Sequence, residues 1–303
     1  MKELGFIGLG KMGYNMVLRL LENNYRVVVF DQDLKPGIEL EACGAINSRS
    51  LEEMITRLRQ PAVLWLMLPH NETGGMISEL SNFLEKGSTI IDGGNSWWKN
   101  SQKNYDFLSR KGINFIDVGV SGGPSGARNG ACLMAGAAAR TFQDQKQLLN
   151  TLAGFQACRH VGKPGAGHFA KMIHNGIEYG MMQSLAEGFN LLSESEFDFD
   201  LKQIADLYNH DSVIKSRLVA WLQDAFQKFG NDLENVSSRV GHSGEGQWAV
   251  EYARVKKIKI PSIESALNFR KDKTDGFNFT KKILSALRNR FGGHPAIRRR
   301  NDE

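Results

Sequence analysis

The sequence predicts two domains of different class: an α/β domain on a doubly wound parallel sheet, then an all-α domain. Three observations predict it. A glycine-rich turn, Gly8-Leu9-Gly10-Lys11-Met12-Gly13, follows a short apolar run at the start of the chain. Apolar, strand-like runs then alternate with helical patterns through the first half, as strands joined by crossover helices do. After "VGKPGAG", Val161 to Gly167, the strand signal stops and helical period takes over. The expected domains are residues 1–163 and 164–303, in line with roughly 100–200 residues per domain.

The first strand is "LGFIG", and the glycine turn after it opens a helix that runs to Asn23. That context makes the motif a Rossmann-type dinucleotide fingerprint. Gly8 allows the tight turn, Gly10 lets the backbone approach a pyrophosphate, and Gly13 lets helix and strand pack closely. The helix start adds unpaired N–H groups and partial positive charge. The second strand, "RVVVF", ends at Asp31, where a carboxylate can accept from the ribose hydroxyls and repel a 2′-phosphate. Gln32 and Asp33 follow, with no arginine, which favours NAD over NADP. The other reading of Asp31 is a strand-end residue that caps a turn.

"AVLWLML", "STIIDGG", "NFIDVGVSGG" and "ACLMAGA" continue the strands. Two loops, "DGGNS" (Asp92 to Ser96) and "VSGGPSGARNG" (Val120 to Gly130), follow strands. Ligands of doubly wound sheets sit outside the carboxyl ends of the strands. Ser121-Gly122-Gly123 offers a hydroxyl and bare amides suited to a carboxylate, and is equally consistent with an ordinary glycine turn.

The second half opens on a long helix with Met172, Ile173, Ile177, Met181, Leu185, Phe189 and Leu192 at recurring positions. "KMIHNGIEYG" breaks the apolar expectation: Lys171, His174, Asn175 and Glu178 stand at i, i+3, i+4 and i+7. They fall within an arc of roughly 100°, with Tyr179 beside them. Polar groups cannot face a dry core unpaired, at about 1–3 kcal/mol each. The stripe is either solvated or lines a water-accessible cleft. The small, apolar flanks favour the cleft. "GHSGEGQW", Gly241 to Trp248, reads as a polar glycine-rich loop, and "SIESALNFRK" and "FTKKILSALRNRFGGH" as later helices.

The net charge of +5 suits an anionic substrate without proving one. No basic stripe with aromatic platforms supports nucleic-acid binding; the one dense run, Arg298 to Arg300, reads as a solvated tail. Cys43, Cys132 and Cys158 lie far apart, so reduced thiols in or near the core are expected, with no zinc site or other metal. No segment approaches the ~18 apolar residues of a membrane helix, and the N-terminus lacks a signal-peptide pattern. The expected location is cytoplasmic.

The motifs "GLGKMGYNM", "DGGNS", "VSGGPSGARNG", "GHFAKMIHNGIEYGMMQ" and "LRNRFGGH" span almost the whole chain. Together they resemble the decarboxylating 6-phosphogluconate dehydrogenases, in their short form, of the β-hydroxyacid dehydrogenase superfamily. The resemblance implies oxidative decarboxylation of 6-phospho-D-gluconate to D-ribulose 5-phosphate and carbon dioxide, a step of the pentose phosphate pathway. It implies Lys171 as general base and Glu178 as general acid. Asn95, Ser121, Gly122, Gly123, His174, Asn175 and Tyr179 would hold the sugar acid, and Leu68, Pro69, His70 and Asn95 would flank the nicotinamide. Arg288 and His294 match a tail that enters the neighbouring subunit's site, which implies a homodimer or homotetramer.

The chain departs from the family pattern at the far end of the substrate. Lys215 stands where an arginine grips phosphate, and loses its bidentate fork. Gln247 and Ala249 replace a basic residue and a threonine. An alternative is therefore a related enzyme acting on a different, unphosphorylated sugar acid. A nucleotide-sensing protein is the other rival, and it would need neither Lys171 nor Glu178.

Overall fold

The computed structural model describes residues 2–241, 244–272 and 278–297. The chain divides into two compact units, residues 1–171 and 172–303. Arg298 to Arg300 lie outside the described residues, as do His242 and Ser243 of the glycine-rich stretch.

In the first unit β1 (Glu3–Ile7), α1 (Lys11–Glu22), β2 (Arg26–Phe30), α2 (Leu34–Glu41) and β3 (Ile46–Asn47) follow in order. Then come α3 (Leu51–Thr56), β4 (Val63–Leu66), α4 (Thr73–Leu80), β5 (Thr89–Asp92) and α5 (Trp98–Arg110). The unit continues with β6 (Asn114–Ser121), α6 (Gly123–Asn129), β7 (Ala131–Ala137), α7 (Ala139–Leu152) and β8 (Ala153–Gly162). The eight strands form one sheet in the order β3-β2-β1-β4-β5-β6-β7-β8.

Alternate residues of each strand serve opposite faces, because side chains of a strand alternate in direction. Val27, Val29 and Trp65 join one core with Met16, Leu20 and Leu149. Val28, Leu64 and Leu66 join the other with Met54, Ile77, Leu80 and Leu108. Burial on both faces explains the near-continuous apolar runs.

The structure departs from the expected all-parallel sheet at one pair. β6 and β7 run antiparallel, with Asp117 opposite Gly136 and Ser121 opposite Cys132. The Gly122–Gly130 connection holds only short α6, whereas a crossover to a parallel strand takes about a dozen residues or more. β8, absent from the sequence reading, pairs parallel to β7 at the sheet edge. Only Ala153 and Cys158 of that strand are buried, so it carries no alternating signal.

α8 (Ala166–Ser193) contains the boundary between the units. The second unit continues with α9 (Leu201–Tyr208), α10 (Arg217–Phe229), α11 (Glu245–Val255), α12 (Pro261–Lys271) and α13 (Phe279–Gly292). Asp200 caps α9 by accepting from the amides of Lys202 and Gln203, and Ser216 caps α10 by accepting from Val219. Phe189, Leu222, Phe226, Ile283, Leu284 and Leu287 form the core. Gly241 to Trp248 is only partly a loop: Gln247 and Trp248 lie in α11. No described helix is long and apolar enough to cross a membrane.

The cysteines correct one expectation. Cys158 is buried, but Cys43 and Cys132 are exposed. Burial pushes the Cys158 thiol up to about 11, so an alkylating reagent at neutral pH modifies Cys43 and Cys132 and spares Cys158, as peptide mass spectrometry would show. Leu222 is fully buried; Leu222→Ala should cost about 2–5 kcal/mol of stability, read as a lower urea midpoint at unchanged slope.

Candidate active site

Gly8, directly after β1, has φ +93, and a Cβ there would lie 2.4 Å from the Met67 carbonyl oxygen. Gly13, in the first turn of α1, is closer still: its Cβ would lie 1.9 Å from the Gly8 carbonyl oxygen. Packing therefore demands glycine at both positions. Gly10 is different. A Cβ there would meet no protein atom within 4 Å, so the demand for a bare backbone comes from something other than the fold.

Gly8, Gly10, Lys11, Met12 and Gly13 line a cavity of about 540 Å³. Asp31 and Gln32 line it from the end of β2, Met67, Leu68 and Pro69 from the end of β4, and Gly94 and Asn95 from the loop after β5. A site at the carboxyl ends of the strands, beside a helix N-terminus, fits a dinucleotide. Leu9 and His70 do not line it. The Leu9 side chain is buried, and its amide donates to Asp31 Oδ2 at 2.5 Å. His70 is exposed on the surface. The sequence reading missed Gln32, Met67, Glu72 and Met76; adjacency to a strand end was the signal for Gln32 and Met67, whereas Glu72 precedes α4 and Met76 lies within it, with no local signal.

Of the two roles the sequence left open for Asp31, the hydrogen bonds correspond to the turn-holding one. Asp31 holds the glycine turn through Leu9 and its own loop through the amide of Asp33, at 2.8 Å. Each carboxylate oxygen keeps a second lone pair for a ligand. Asp92, fully buried at the end of β5, acts alike: Oδ1 accepts from the Gly94 amide and Oδ2 from the Ser96 hydroxyl. That shapes the turn from which Asn95 projects. Ser121 ends β6, Gly122 caps α6 and Gly123 begins it.

Along α8, Lys171, His174, Asn175 and Glu178 are all partly buried, and Tyr179 is buried. The stripe is thus neither core nor open surface. His174 Nδ1 lies 3.1 Å from Asn175 Oδ1 and 3.8 Å from Glu178 Oε2. Of the apolar positions, Met172 and Phe189 are buried, but Ile177 and Met181 are exposed.

The second unit adds a residue that sequence reasoning missed. The Arg270 guanidinium stacks 3.6 Å from the centroid of the Tyr179 ring and is only 5% exposed. Its Nε has no hydrogen-bond partner among the described residues. Burial pushes it down to about 10, with Tyr179 and Glu178 opposing and Arg288 reinforcing the shift. Gly246 packs against the same ring: a Cβ there would lie 2.6 Å from it. Gln247 accepts from Lys271 Nζ at 3.0 Å and donates to Glu251. Lys215 is exposed and pairs with Asp211 at 3.4 Å. Arg288 approaches Gly241, and His294 packs edge-on against Phe291. Among the described residues, no three His, Cys, Asp or Glu side chains form a metal-binding group.

Residues 3–162 match the model of the NAD binding domain of 6-phosphogluconate dehydrogenase, and residues 167–275 match that of the 6-phosphogluconate dehydrogenase C-terminal domain. The YqeC protein of Bacillus subtilis, provisionally named a 6-phosphogluconate dehydrogenase, is 40% identical over 96% of this chain and 98% of its own. The NAD(+)-dependent, decarboxylating 6-phosphogluconate dehydrogenase of Haloferax volcanii is 33% identical over 98% of this chain and 99% of its own. The Candida albicans decarboxylating enzyme is also 33% identical, but the match spans 54% of its length. Among solved structures, the Plasmodium falciparum 6-phosphogluconate dehydrogenase superposes with a TM-score of 0.79 at 24% identity, over 94% of this chain and 70% of its own. That likeness shows the fold.

Gly10 separates fold from ligand. Gly10→Ala should leave the thermal midpoint within about 2 °C of the parent, since no packing is disturbed. The same methyl should weaken NADH binding by about tenfold, roughly 1.4 kcal/mol, in a fluorescence titration.

Proposed function

We propose a reaction from one premise: the chain belongs to the 6-phosphogluconate dehydrogenase family. The reaction is oxidative decarboxylation of 6-phospho-D-gluconate to D-ribulose 5-phosphate and carbon dioxide. The observation that carries it is the half-buried stripe of α8, which sets an amine, Lys171, and a carboxyl, Glu178, one helical repeat apart. Oxidation and decarboxylation need a base and an acid within reach of neighbouring carbons, and one helix face offers both.

Neutral Lys171 takes the proton of the C3 hydroxyl. Bound NAD would supply the acceptor for the hydride that leaves C3. The product is a 3-keto acid, whose carboxylate is β to a carbonyl, so carbon dioxide leaves with its bonding electrons entering the carbonyl. Lys171, now an ammonium, donates its proton to the forming enolate oxygen. Glu178 then protonates C2, the carbon that lost carbon dioxide, while Lys171, neutral again, takes back the enol proton and so leaves the ketone. His174 and Asn175 lie between base and acid along the helix and bind the sugar hydroxyls; Asn95 and Ser121-Gly122-Gly123 bind the carboxylate end.

NAD is the favoured cofactor, because the carboxylates of Asp31 and Asp33 would repel a 2′-phosphate. Gly8 to Gly13, with Leu68, Pro69 and Asn95, would hold it. For the substrate phosphate, Arg270 supplies a buried guanidinium beside Tyr179. One observation favours the second reading, an unphosphorylated sugar acid: Lys215 is engaged by Asp211, and the neutral Gln247 by Lys271 and Glu251. A homodimer or homotetramer, with Arg288 and His294 completing a neighbour's site, belongs to the same proposal. The exposed Ile177 and Met181 give α8 an apolar surface for a second copy.

Turnover decides. Purified protein with 6-phosphogluconate should reduce NAD and release carbon dioxide in equal amounts, at higher kcat/KM than with NADP. No turnover with either cofactor refutes the substrate, and turnover of gluconate alone selects the second reading. Lys171→Met should lower kcat by about 10²–10⁴-fold. Arg270→Met should raise KM for 6-phosphogluconate by about tenfold or more, the loss expected for a charge-assisted pair, and leave KM for gluconate unchanged.

A further inference from the structure

The base named above sits six residues into the described length of α8, and the structure shows what holds that end of the helix. A helix leaves its first four amides without intrahelical partners. A Ser, Asp or Asn at the N-cap commonly supplies an acceptor. Here the residue before the helix is Gly165, with φ +93 and no side chain. The acceptor comes instead from the sheet. Asp117, in the middle of β6 and fully buried, accepts from the Gly165 amide through Oδ1 at 2.6 Å and from the His168 amide through Oδ2 at 2.8 Å. A carboxylate there also meets the positive end of the helix dipole.

The first turn rests on backbone with no side chain between. A Cβ on Gly119, two residues along the same face of β6, would lie 2.5 Å from the Lys171 Cβ and 2.9 Å from the Gly167 carbonyl oxygen. A Cβ on Gly136, opposite Asp117 on β7, would lie 2.6 Å from both Asp117 Oδ1 and the Gly167 amide. A Cβ on Gly167 would lie 2.4 Å from the Asp117 carbonyl oxygen. His168, buried beside them, bonds through Nδ1 to the Ser101 hydroxyl at 2.7 Å. Successive inward residues of β6 thus grip the helix, admit the lysine stem and present Ser121.

We propose that Asp117 is a positioning residue for Lys171: by holding the first-turn amides it sets the height and rotation of α8 on β6, and Gly119 is the socket for the lysine stem. The proposal rests on Lys171 as the base. Its geometry predicts a specific failure. Asn at position 117 keeps the volume but turns an N–H₂ toward one of the two amide donors, so one bond is lost to a donor–donor contact. Ala at position 119 leaves the Asp117 carboxylate unaltered but presses on the Lys171 Cβ and the Gly167 carbonyl, and so shifts the lysine with the first turn of α8.

The experiment compares Asp117→Asn and Gly119→Ala with the parent in the full chain. NADH affinity, measured by fluorescence, should stay within about twofold in both, because the cavity at Gly8 to Gly13 is untouched. With 6-phosphogluconate, kcat should fall roughly ten- to a hundredfold in each, the scale of an ångström of misplacement, while KM stays within about threefold. Amide exchange of residues 166–171 should quicken in Asp117→Asn, which loses an acceptor for the first turn. An amine-selective reagent, followed by peptide mass spectrometry, should change its rate at Lys171 in both variants and not at exposed Lys163. Unchanged kcat in a folded Asp117→Asn, or unchanged exchange, overturns the proposal. Should Asp117→Asn fail to fold, Gly119→Ala decides alone, and a kcat within about twofold of the parent overturns it. A parent that turns over no sugar acid refutes the base role instead, and the reagent rate at Lys171 still tests the positioning.

Discussion

The carboxylate of Asp117 joins the sheet to the start of α8, the helix that carries Lys171 and Glu178. Everything else at this site can be traced from that contact. The helix must begin where the carboxylate meets two amides, so position 171 falls over Gly119 and nowhere else. Burial pushes the Asp117 carboxyl above the ordinary range, with His168 and the two amides pulling against burial and Asp92 reinforcing it. The group has no surplus of partners, which makes the anchor both specific and costly to disturb.

The same device recurs along the strand ends. Asp31 spends its oxygens on Leu9 and Asp33, Asp92 on Gly94 and Ser96, and Asp117 on Gly165 and His168. In each case an aspartate on or just beyond a strand holds backbone that a hydrophobic core cannot hold, because loops and helix starts carry unpaired amides. The sheet supplies rigidity and the aspartates transmit it to the loops. A site built this way is preorganised before any ligand arrives.

Much of this was legible in the sequence, and the limits have physical causes. The glycine motif could be read because its meaning is local: a strand before it, a helix after it. The polar stripe of α8 could be read because helical period places it without knowledge of the fold. β8 could not be read, since an edge strand with two buried residues has no alternation. α6 was hidden inside a glycine-rich run that reads as a turn. Arg270 sits in a helix end that looks like any basic C-terminus, and only packing on Tyr179 distinguishes it. Asp117 did leave a signal, a carboxylate in the middle of the apolar run "NFIDVGV", though nothing local says what it binds.

The seat of glycines beneath α8 has an evolutionary consequence. Gly119, Gly136 and Gly167 leave no room for an added carbon unless the helix start shifts, so change in this corner is costly whatever the substrate. Beyond the first turn of α8 that constraint is absent, and side chains such as His174 and Asn175 can be exchanged without unseating the lysine. Under the proposed roles, chemistry is thereby inherited at one end of the helix, while substrate preference is free to drift toward the other. A lineage built on this scaffold can change what it oxidises long before it can change how.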